Sequence, residues 1–275
     1  MATLPVNDGW SANLRLGFQL SGNRTILAHR ARKGPLTVQR PFYPESGVCH
    51  VYLLHPPGGV VGGDHLQIHC EQEEGCQTLV TTPGASKFYR STGSVATQTQ
   101  ELVIADASSL EWLPQENIFF PGARVKMTTR VKMKGSARLM LWEMHCLGRP
   151  SICEAFEYGE VDSCLEIYRD GRPLFVDRLR VDGKSRLRRS QLAGKAVMAT
   201  SVFTNASDVD LQAARSCFET GDEDCIAATL IEDLLVIRYL GESTEQAGKL
   251  FKAVWERLRP SLLQRSPVPP RIWNT

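Results

Sequence analysis

The chain has 275 residues, and its 32 lysines and arginines almost balance its 30 aspartates and glutamates. The net charge of +2 gives no strong attraction to nucleic acid or to an anionic membrane, and a content of 42% hydrophobic and 23% charged residues excludes a disordered chain. The sequence contains neither an apolar run of about eighteen residues, which a membrane helix needs, nor a secretion signal at its start, so we expect a cytoplasmic protein without a membrane or nucleic-acid partner.

Residues 10 to 203 have the pattern of many short strands. From Leu14 to Leu20 apolar and polar residues alternate, which is the period of a strand with one buried face. Asp170-Gly171 and Asp182-Gly183 lie between apolar runs and predict hairpin turns, because glycine accepts the positive φ angle that such turns need. We therefore predict a mostly β structure over this range.

A glycine-rich loop over residues 58–64 contains Gly58, Gly59, Gly62 and Gly63 and ends at Asp64. Glycines at this density let the backbone approach a ligand or another chain closely. The loop lacks the Lys-Ser/Thr ending and the following helix of a phosphate-binding loop. Two interpretations stay open: a pair of tight turns flanking a short strand, or a close approach to a ligand for which Asp64 supplies a carboxylate.

Two further motifs carry side chains that a catalytic site could use. Ser86 and Lys87 do not form a nucleophile and base pair if they lie in a strand, because adjacent strand residues point to opposite faces. Glu111 and Glu116 are compatible with the carboxylate pair of a glycosidase, although Glu111 is more simply read as an outward-facing neighbour of an inward Trp112. A hydrolase or transferase that uses the glycine-rich loop with Glu111 and Glu116 is the alternative function that these residues leave open.

The cysteines and histidines do not have the spacing of a metal site. The eight cysteines are irregularly spaced and form no Cys-x-x-Cys motif, so we expect reduced thiols. In the doublets Cys49-His50, His69-Cys70 and His145-Cys146 the two side chains diverge if each doublet lies in a strand. Glu143 lies in an apolar strand, and a buried carboxylate there needs a partner, a cation or a proton.

The most basic segment runs from Arg178 to Arg189. Its basic residues alternate with apolar ones around a predicted hairpin, which favours a strand with one solvated face. A nucleic-acid surface and a contact with an acidic partner protein are the other interpretations.

The last quarter of the chain predicts two helices. The first begins at Ser207 or Asp208 and runs to about Glu219, and it is followed by two strands, 226–231 and 234–240. The second helix is the clearest in the sequence, with an N-cap at Ser243 and one apolar stripe. The stripe consists of Ala247, Leu250, Phe251, Val254, Trp255 and Leu258.

The end of the second helix is predicted at Pro260, and residues 261–275 are expected to form an extended tail, exposed over residues 266–270. No linker composition divides the chain. We therefore predict a single domain over residues 1–275, with a strand-rich part (10–203), a helix-containing part (204–260) and the tail.

Taken in order along residues 14 to 180, these motifs resemble the UreD (also called UreH) family of urease accessory proteins. Several of the shared strings are rare, such as His55-Pro56-Pro57-Gly58-Gly59 and the segment from Leu110 to Glu116. The residues that carry the resemblance are Gly58, Gly59, Gly62, Gly63, Lys87, Tyr89, Arg90, Glu111, Trp112, Glu116, Trp142 and Arg149.

The resemblance implies a mostly β, helically wound or β-sandwich-like stack of many short strands, with two α-helices in the C-terminal third. It also implies no catalytic activity and no tightly bound cofactor. The implied role is to bind urease apoprotein together with UreF and the GTPase UreG, in a heterocomplex that could be dimeric, and to help deliver nickel to the urease active site.

In that family nickel is thought to pass through an internal tunnel, so the resemblance gives isolated carboxylates a role. We predict Asp64, Glu143 and Asp177 as oxygen ligands along such a route, with Thr81 and Thr82 as polar neighbours. Ni²⁺ accepts oxygen and imidazole ligands, and a transient Ni²⁺ ion needs weak, exchangeable sites rather than a closed cage.

Overall fold

The computed structural model describes residues 9–218 and 225–274 of the chain. Strands dominate these residues, and two α-helices lie in the C-terminal third, as predicted. In chain order the elements are β1 (Ser11–Ser21), β2 (Arg24–Lys33), β3 (Thr37–Val38), β4 (Cys49–Leu54), β5 (His65–Gln72), β6 (Gln77–Thr81), β7 (Ser86–Phe88), β8 (Ala96–Ile104), β9 (Ser109–Leu113), β10 (Asn117–Phe119), β11 (Arg124–Met133), β12 (Arg138–Arg149), β13 (Glu154–Ala155), β14 (Glu160–Arg169), β15 (Arg172–Asp182), β16 (Val197–Phe203), α1 (Asp208–Arg215), β17 (Cys225–Ile231), β18 (Leu234–Gly241) and α2 (Thr244–Leu263).

The strands form two sheets. The first sheet has seven strands in the order β15-β14-β11-β8-β5-β1-β2. The second has eleven, with a main path β17-β18-β16-β12-β9-β6-β4-β3 and with β7, β10 and β13 attached beside it.

The chain winds between the two sheets as it proceeds. β4, β6, β9 and β12 run parallel to one another in the second sheet, while the intervening β5, β8 and β11 run parallel in the first. Successive coils therefore stack on one another, and each coil contributes at least one strand to each sheet. This arrangement confirms the predicted helically wound, sandwich-like stack.

The layers explain the burial patterns of the strands. β1 and β11 alternate between buried and more exposed residues, because one face of the first sheet meets solvent. β12 is buried along nearly its whole length, since the second sheet lies between the first sheet and the helices. Leu139 and Leu141 pack in the core between the sheets, here called the inter-sheet core. Met140 and Trp142 pack in the core against the helices, here called the helix-side core.

The two helices begin where the sequence predicts. Ser207 caps α1 and donates its backbone N–H to Asp210 Oδ2 at 2.9 Å, and the Ser243 hydroxyl accepts a hydrogen bond from the Gln246 backbone N–H at 3.2 Å. α1 ends at Arg215, earlier than expected, and Glu219 lies outside the described residues. All six residues of the predicted apolar stripe of α2 are buried.

The prediction that Pro260 ends α2 was wrong, because the helix continues to Leu263. A proline lacks only its own N–H, so near the end of a helix it removes a single hydrogen bond. The Leu262 carbonyl accepts a hydrogen bond from Arg138 Nη1, which supports the last turn. Within the described residues, no helix combines the length and the apolar character that crossing a membrane requires.

The prediction of an extended tail was also wrong in its last part, because Arg271–Asn274 form a short 3₁₀ helix. Trp273 is buried and packs in the helix-side core, with its ring centroid 5.4 Å from that of Trp142 and 5.2 Å from that of Trp255. Its indole N–H donates to Thr81 Oγ1 at 3.1 Å. The apolar area of this tryptophan outweighs the tendency of the proline-rich segment before it to remain solvated.

One of the two predicted hairpin turns is present. Asp170 and Gly171, with φ angles of 51° and 79°, connect β14 to β15. Asp182-Gly183 does not form a hairpin: Asp182 Oδ1 accepts hydrogen bonds from the backbone N–H groups of Lys184 and Ser185, which start a short 3₁₀ turn. Glycine is required at 183 because a Cβ atom there would lie 1.8 Å from the Glu157 carbonyl oxygen.

Candidate functional site

Two polar residues interrupt the apolar row of β12 that faces the first sheet. The alternation of the strand places Glu143 and His145 between Leu141 and Leu147, so their side chains enter the inter-sheet core. Glu143 is 8% exposed and His145 is 6% exposed. The inter-sheet core is therefore polar at this point, and cavities lie around it.

The main cavity has a volume of about 490 Å³ and extends from the glycine-rich loop to Glu143. Its apolar wall includes Trp112, Leu66 and Ile68. Its polar lining residues are His55, Thr82, Ser86, Lys87, Gln98, Gln100, Asn117 and Glu143.

Two smaller cavities adjoin the main one through shared lining residues. A cavity of about 270 Å³ is lined by Trp10 and Asp64 and shares His55 with the main cavity. A cavity of about 20 Å³ is lined by His145 and Asp177 and shares Glu143 with the main cavity. The three predicted carboxylates thus line a series of three adjoining cavities, which we call the cavity series.

Glu143 and His145 are close to each other, but they do not form a full ion pair. Their Oε2 and Nε2 atoms are 3.7 Å apart. Burial raises the pKa of Glu143 to about 7, although the Thr129 hydroxyl donates a hydrogen bond to it. Burial lowers the pKa of His145 to about 4. His145 is therefore neutral at neutral pH, while Glu143 exchanges a proton in that range.

Asp177 differs from Glu143 because it has a cationic partner. Its Oδ2 atom lies 2.9 Å from Arg238 Nη1 and accepts a hydrogen bond from the Thr200 hydroxyl at 3.2 Å. Arg238 is 43% exposed at its side chain. Asp177 therefore joins the buried end of the cavity series to a residue that meets solvent.

Asp64 organises the glycine-rich loop. Its Oδ1 atom accepts from the Trp10 backbone N–H at 2.8 Å, and its Oδ2 atom accepts from the Val61 backbone N–H at 2.9 Å. Val60 forms a short parallel bridge with Phe88, and turns lie on both sides of it. The loop is a pair of turns flanking a short strand, as the first interpretation expects. It also borders two cavities, and its approach to a ligand stays a prediction.

Close packing explains the glycines of this loop. A Cβ atom on Gly59 would lie 2.4 Å from the Tyr89 ring, and one on Gly62 would lie 2.2 Å from Ser91 Oγ. The Tyr89 hydroxyl donates to the Gly58 carbonyl at 3.1 Å. These residues hold the wall of the main cavity in place.

The structure separates the two predicted threonines. Thr82 lines the main cavity. Thr81 is buried, donates to the Leu113 carbonyl at 2.6 Å and contacts Trp273 of the helix-side core. Thr81 is not among the residues that line the cavity series.

Glu111 does not face solvent, which corrects the expectation from the sequence. It is 2% exposed and accepts hydrogen bonds from Trp255 Nε1 at 2.6 Å and from Arg259. Arg259 also pairs with Glu45. The burial of both faces of the second sheet explains the error, because a polar side chain on the second face can find a partner from α2.

The remaining family motifs make packing and hydrogen-bond contacts around these features. The Trp142 indole N–H donates to the Pro114 carbonyl at 2.7 Å, and the Glu116 carbonyl accepts from the Ser86 N–H at 2.9 Å. The Arg149 guanidinium lies 4.8 Å from the Phe120 ring centroid. A Cβ atom on Gly122 would lie 2.6 Å from Arg90.

Several site residues were not selected from the sequence. Thr129 and Arg238 contact the predicted carboxylates from strands distant in sequence, and only the register of the sheets shows this. His145 could have been selected, because it lies two residues after Glu143 and so shares its face. The three Cys/His doublets lie in strands, and within residues 9–218 and 225–274 no three or more His, Cys, Asp or Glu side chains are grouped to hold a metal ion.

Comparison with known proteins gives one consistent result. The sequence model of the family described as UreD urease accessory protein matches residues 11–274. The chain is similar to the urease accessory protein UreD of Alcanivorax borkumensis, with 46% identity covering 98% of this chain and 94% of that protein. It is also similar to the proteins of that name from Klebsiella aerogenes (44% identity, 98% and 99% covered) and Pseudomonas entomophila (45% identity, 98% and 96% covered).

Proposed function

The chain belongs to the UreD family of urease accessory proteins, and from this we propose that it passes Ni²⁺ along the cavity series toward urease without catalysing a reaction of its own. The proposal includes a cytoplasmic complex with UreF, the GTPase UreG and urease apoprotein. One observation carries it: Asp64, Glu143 and Asp177, chosen from the sequence, line adjoining cavities in that order.

The chemistry of the lining suits a cargo that moves. Ni²⁺ accepts carboxylate oxygen and imidazole nitrogen, and weak sites with few ligands let an ion leave as readily as it enters. The cavity series offers carboxylates one at a time, and the amide side chains of Gln98, Gln100 and Asn117 line its main cavity. Since no group of three or more ligands of the His, Cys, Asp or Glu type is assembled in the described residues, tight retention is not favoured.

The surface offers apolar side chains that partner proteins could cover. Val176 on β15, Leu187 after it and Val209 on α1 are 58%, 60% and 78% exposed. Such residues are common at protein interfaces when they are grouped. In the proposed heterocomplex, partner proteins would remove this apolar surface from water.

The hydrolase or transferase alternative is not favoured by the site. Glu111 contacts Arg259 and Trp255 on the helix-side face, away from the cavity series. Ser86 and Lys87 are adjacent residues of β7, so their side chains diverge. Neither pair of groups converges on a substrate.

The test is urease activation in cells that lack their own UreD-type protein. Urease, UreF, UreG and nickel are supplied with or without this chain. We expect active urease only when the chain is present. If urease stays inactive while the chain is present and bound to UreF, the chain does not deliver nickel to urease and the proposal is wrong.

A further inference from the structure

We propose that His55 is the residue that receives Ni²⁺ between the first two cavities, and that its imidazole gives the route a preference for nickel over magnesium and calcium. The inference deepens the proposed function and rests on it. It adds a ligand of a different chemical type to the three carboxylates.

The position of His55 is the first argument. Its side chain lines both the 270 Å³ cavity, where Asp64 lies, and the 490 Å³ cavity, which leads to Glu143. His55 directly precedes Pro56 and Pro57, and the proline rings restrict the backbone dihedral angles of this segment. An ion that passes from the first cavity to the second therefore passes close to His55, one of the residues that line both.

The free ring of His55 is the second argument. Other histidines are engaged: His50 with Glu45 at 2.9 Å, His65 with Thr97 at 2.7 Å, and His145 with Glu143 at 3.7 Å. Among the hydrogen bonds and ion pairs of the described residues, none uses a ring nitrogen of His55.

The neighbouring Asp64 does not serve the same purpose. Each of its two carboxylate oxygens already accepts a backbone hydrogen bond, from Trp10 and from Val61. It fixes the loop with one lone pair of each oxygen and keeps the remaining lone pairs for a cation, while His55 supplies a nitrogen donor.

Ligand type explains the selectivity. Carboxylate, amide and hydroxyl oxygens suit Mg²⁺ and Ca²⁺, whereas imidazole suits Ni²⁺ and similar transition metals. Beyond His55 the main cavity presents hydroxyl and amide groups, such as those of Ser86, Gln98 and Asn117, before it reaches Glu143. Without the imidazole, the first part of the route would distinguish these ions poorly.

The experiment is equilibrium dialysis of the purified full chain against NiCl₂ alone and, separately, against MgCl₂. His55→Gln tests the proposed ligand, and His29→Gln, an exposed histidine on β2, is the matched control. Loss of a direct ligand should weaken Ni²⁺ affinity at least about tenfold, because substitution of a residue that only hydrogen-bonds to a metal ligand already lowers metal affinity by that factor. We expect no change in Mg²⁺ binding and no change for His29→Gln.

A second measurement does not depend on how a variant folds. In the unaltered chain with labelled histidines, low amounts of paramagnetic Ni²⁺ should broaden the ring signals of His55 before those of His29 and His65. Broadening that begins elsewhere, or a His55→Gln chain with the nickel affinity of the unaltered one, overturns the inference. If that happens while the chain still activates urease, only His55 loses its role. If the chain does not activate urease, the proposed function fails instead.

Discussion

Glu111 and Glu143 lie on neighbouring strands of one sheet but in different cores. β9 and β12 are paired, and Glu111 lies opposite Met140. On the helix side, Glu111 contacts the Arg259 guanidinium and the Trp255 indole. In the inter-sheet core, Glu143 has the Thr129 hydroxyl and a neutral His145.

The difference shows that burial alone does not tell what a carboxylate does. A buried glutamate with an arginine is a fixed charge that joins elements, here α2 and β9. A buried glutamate without a cation has a raised pKa and is able to bind one. We therefore infer a structural role for the helix-side core and a transport role for the inter-sheet core.

The largest effect is expected when the helix-side pair is broken. Arg259→Met leaves Glu111 and Glu45 buried without their shared cation. Loss of one partner of a buried ion pair costs about 3–5 kcal/mol of unfolding free energy. Chemical denaturation in dilute solution, followed by tryptophan fluorescence, measures it.

Arg257→Met is the control, because Arg257 is an exposed residue on the same helix. It should change the unfolding free energy by less than about 0.5 kcal/mol. Equal effects of the two substitutions would show that the pair with Glu111 has no special structural role.

The second effect is a pH dependence that belongs to the inter-sheet core. In the folded chain the pKa of Glu143 is about 7, against an ordinary 4.5, so the folded state holds a proton that the unfolded state has lost. The contribution of Glu143 to the unfolding free energy is therefore complete below pH 4.5 and is lost as pH rises towards 7. At about 1.4 kcal/mol per pKa unit the loss is roughly 3 kcal/mol.

The unaltered chain alone does not isolate this effect. The pKa of His145 is lowered from 6.5 to about 4, so its contribution to stability rises with pH over part of the same range. In the difference in unfolding free energy between the unaltered chain and Glu143→Gln, the contribution of His145 cancels, because burial lowers its pKa in both chains. As pH rises, we expect the unaltered chain to lose unfolding free energy relative to Glu143→Gln. A difference that stays constant with pH would mean that the pKa of Glu143 is not raised in the folded chain.

A smaller effect is expected at Thr81, which belongs to the helix side. Thr81→Val leaves the Trp273 indole N–H and one acceptor site of Leu113 without their partner. The expected cost is roughly 1–2 kcal/mol. Thr99→Val, at an exposed position on β8, should be nearly neutral, and a similar result for both would remove Thr81 from the helix-side network.

Local sequence signals predicted the bounds of helices and strands better than the tertiary contacts that their side chains make. Alternation and caps placed β17, β18 and the start of α2 within about a residue. The role of Glu111 could not be predicted, because its partner Arg259 is 148 residues away and a sheet buried on both faces has no solvated side for polar residues. The burial of Trp273 was missed because the prolines before it indicated an extended tail.

The candidate site was predictable only in part. Carboxylates in apolar or glycine-rich segments, together with the family resemblance, selected Asp64, Glu143 and Asp177, and all three line the cavity series. Thr81 was grouped with Thr82 by adjacency, but Thr81 is the last residue of β6 and faces the helix-side core, whereas Thr82 lies just beyond the strand and lines the main cavity. His55 gained importance only when the cavities on both sides of it were visible.

The most direct test of a nickel route through the inter-sheet core is the nickel content of urease activated at limiting nickel. Glu143→Gln alters the cavity series, and Thr81→Val alters the opposite face of the same sheet. We predict a several-fold lower nickel content and activity with Glu143→Gln, recovered at excess nickel, and values close to those of the unaltered chain with Thr81→Val. Full nickel loading with Glu143→Gln at limiting nickel, in a complex that assembles normally, would contradict the route.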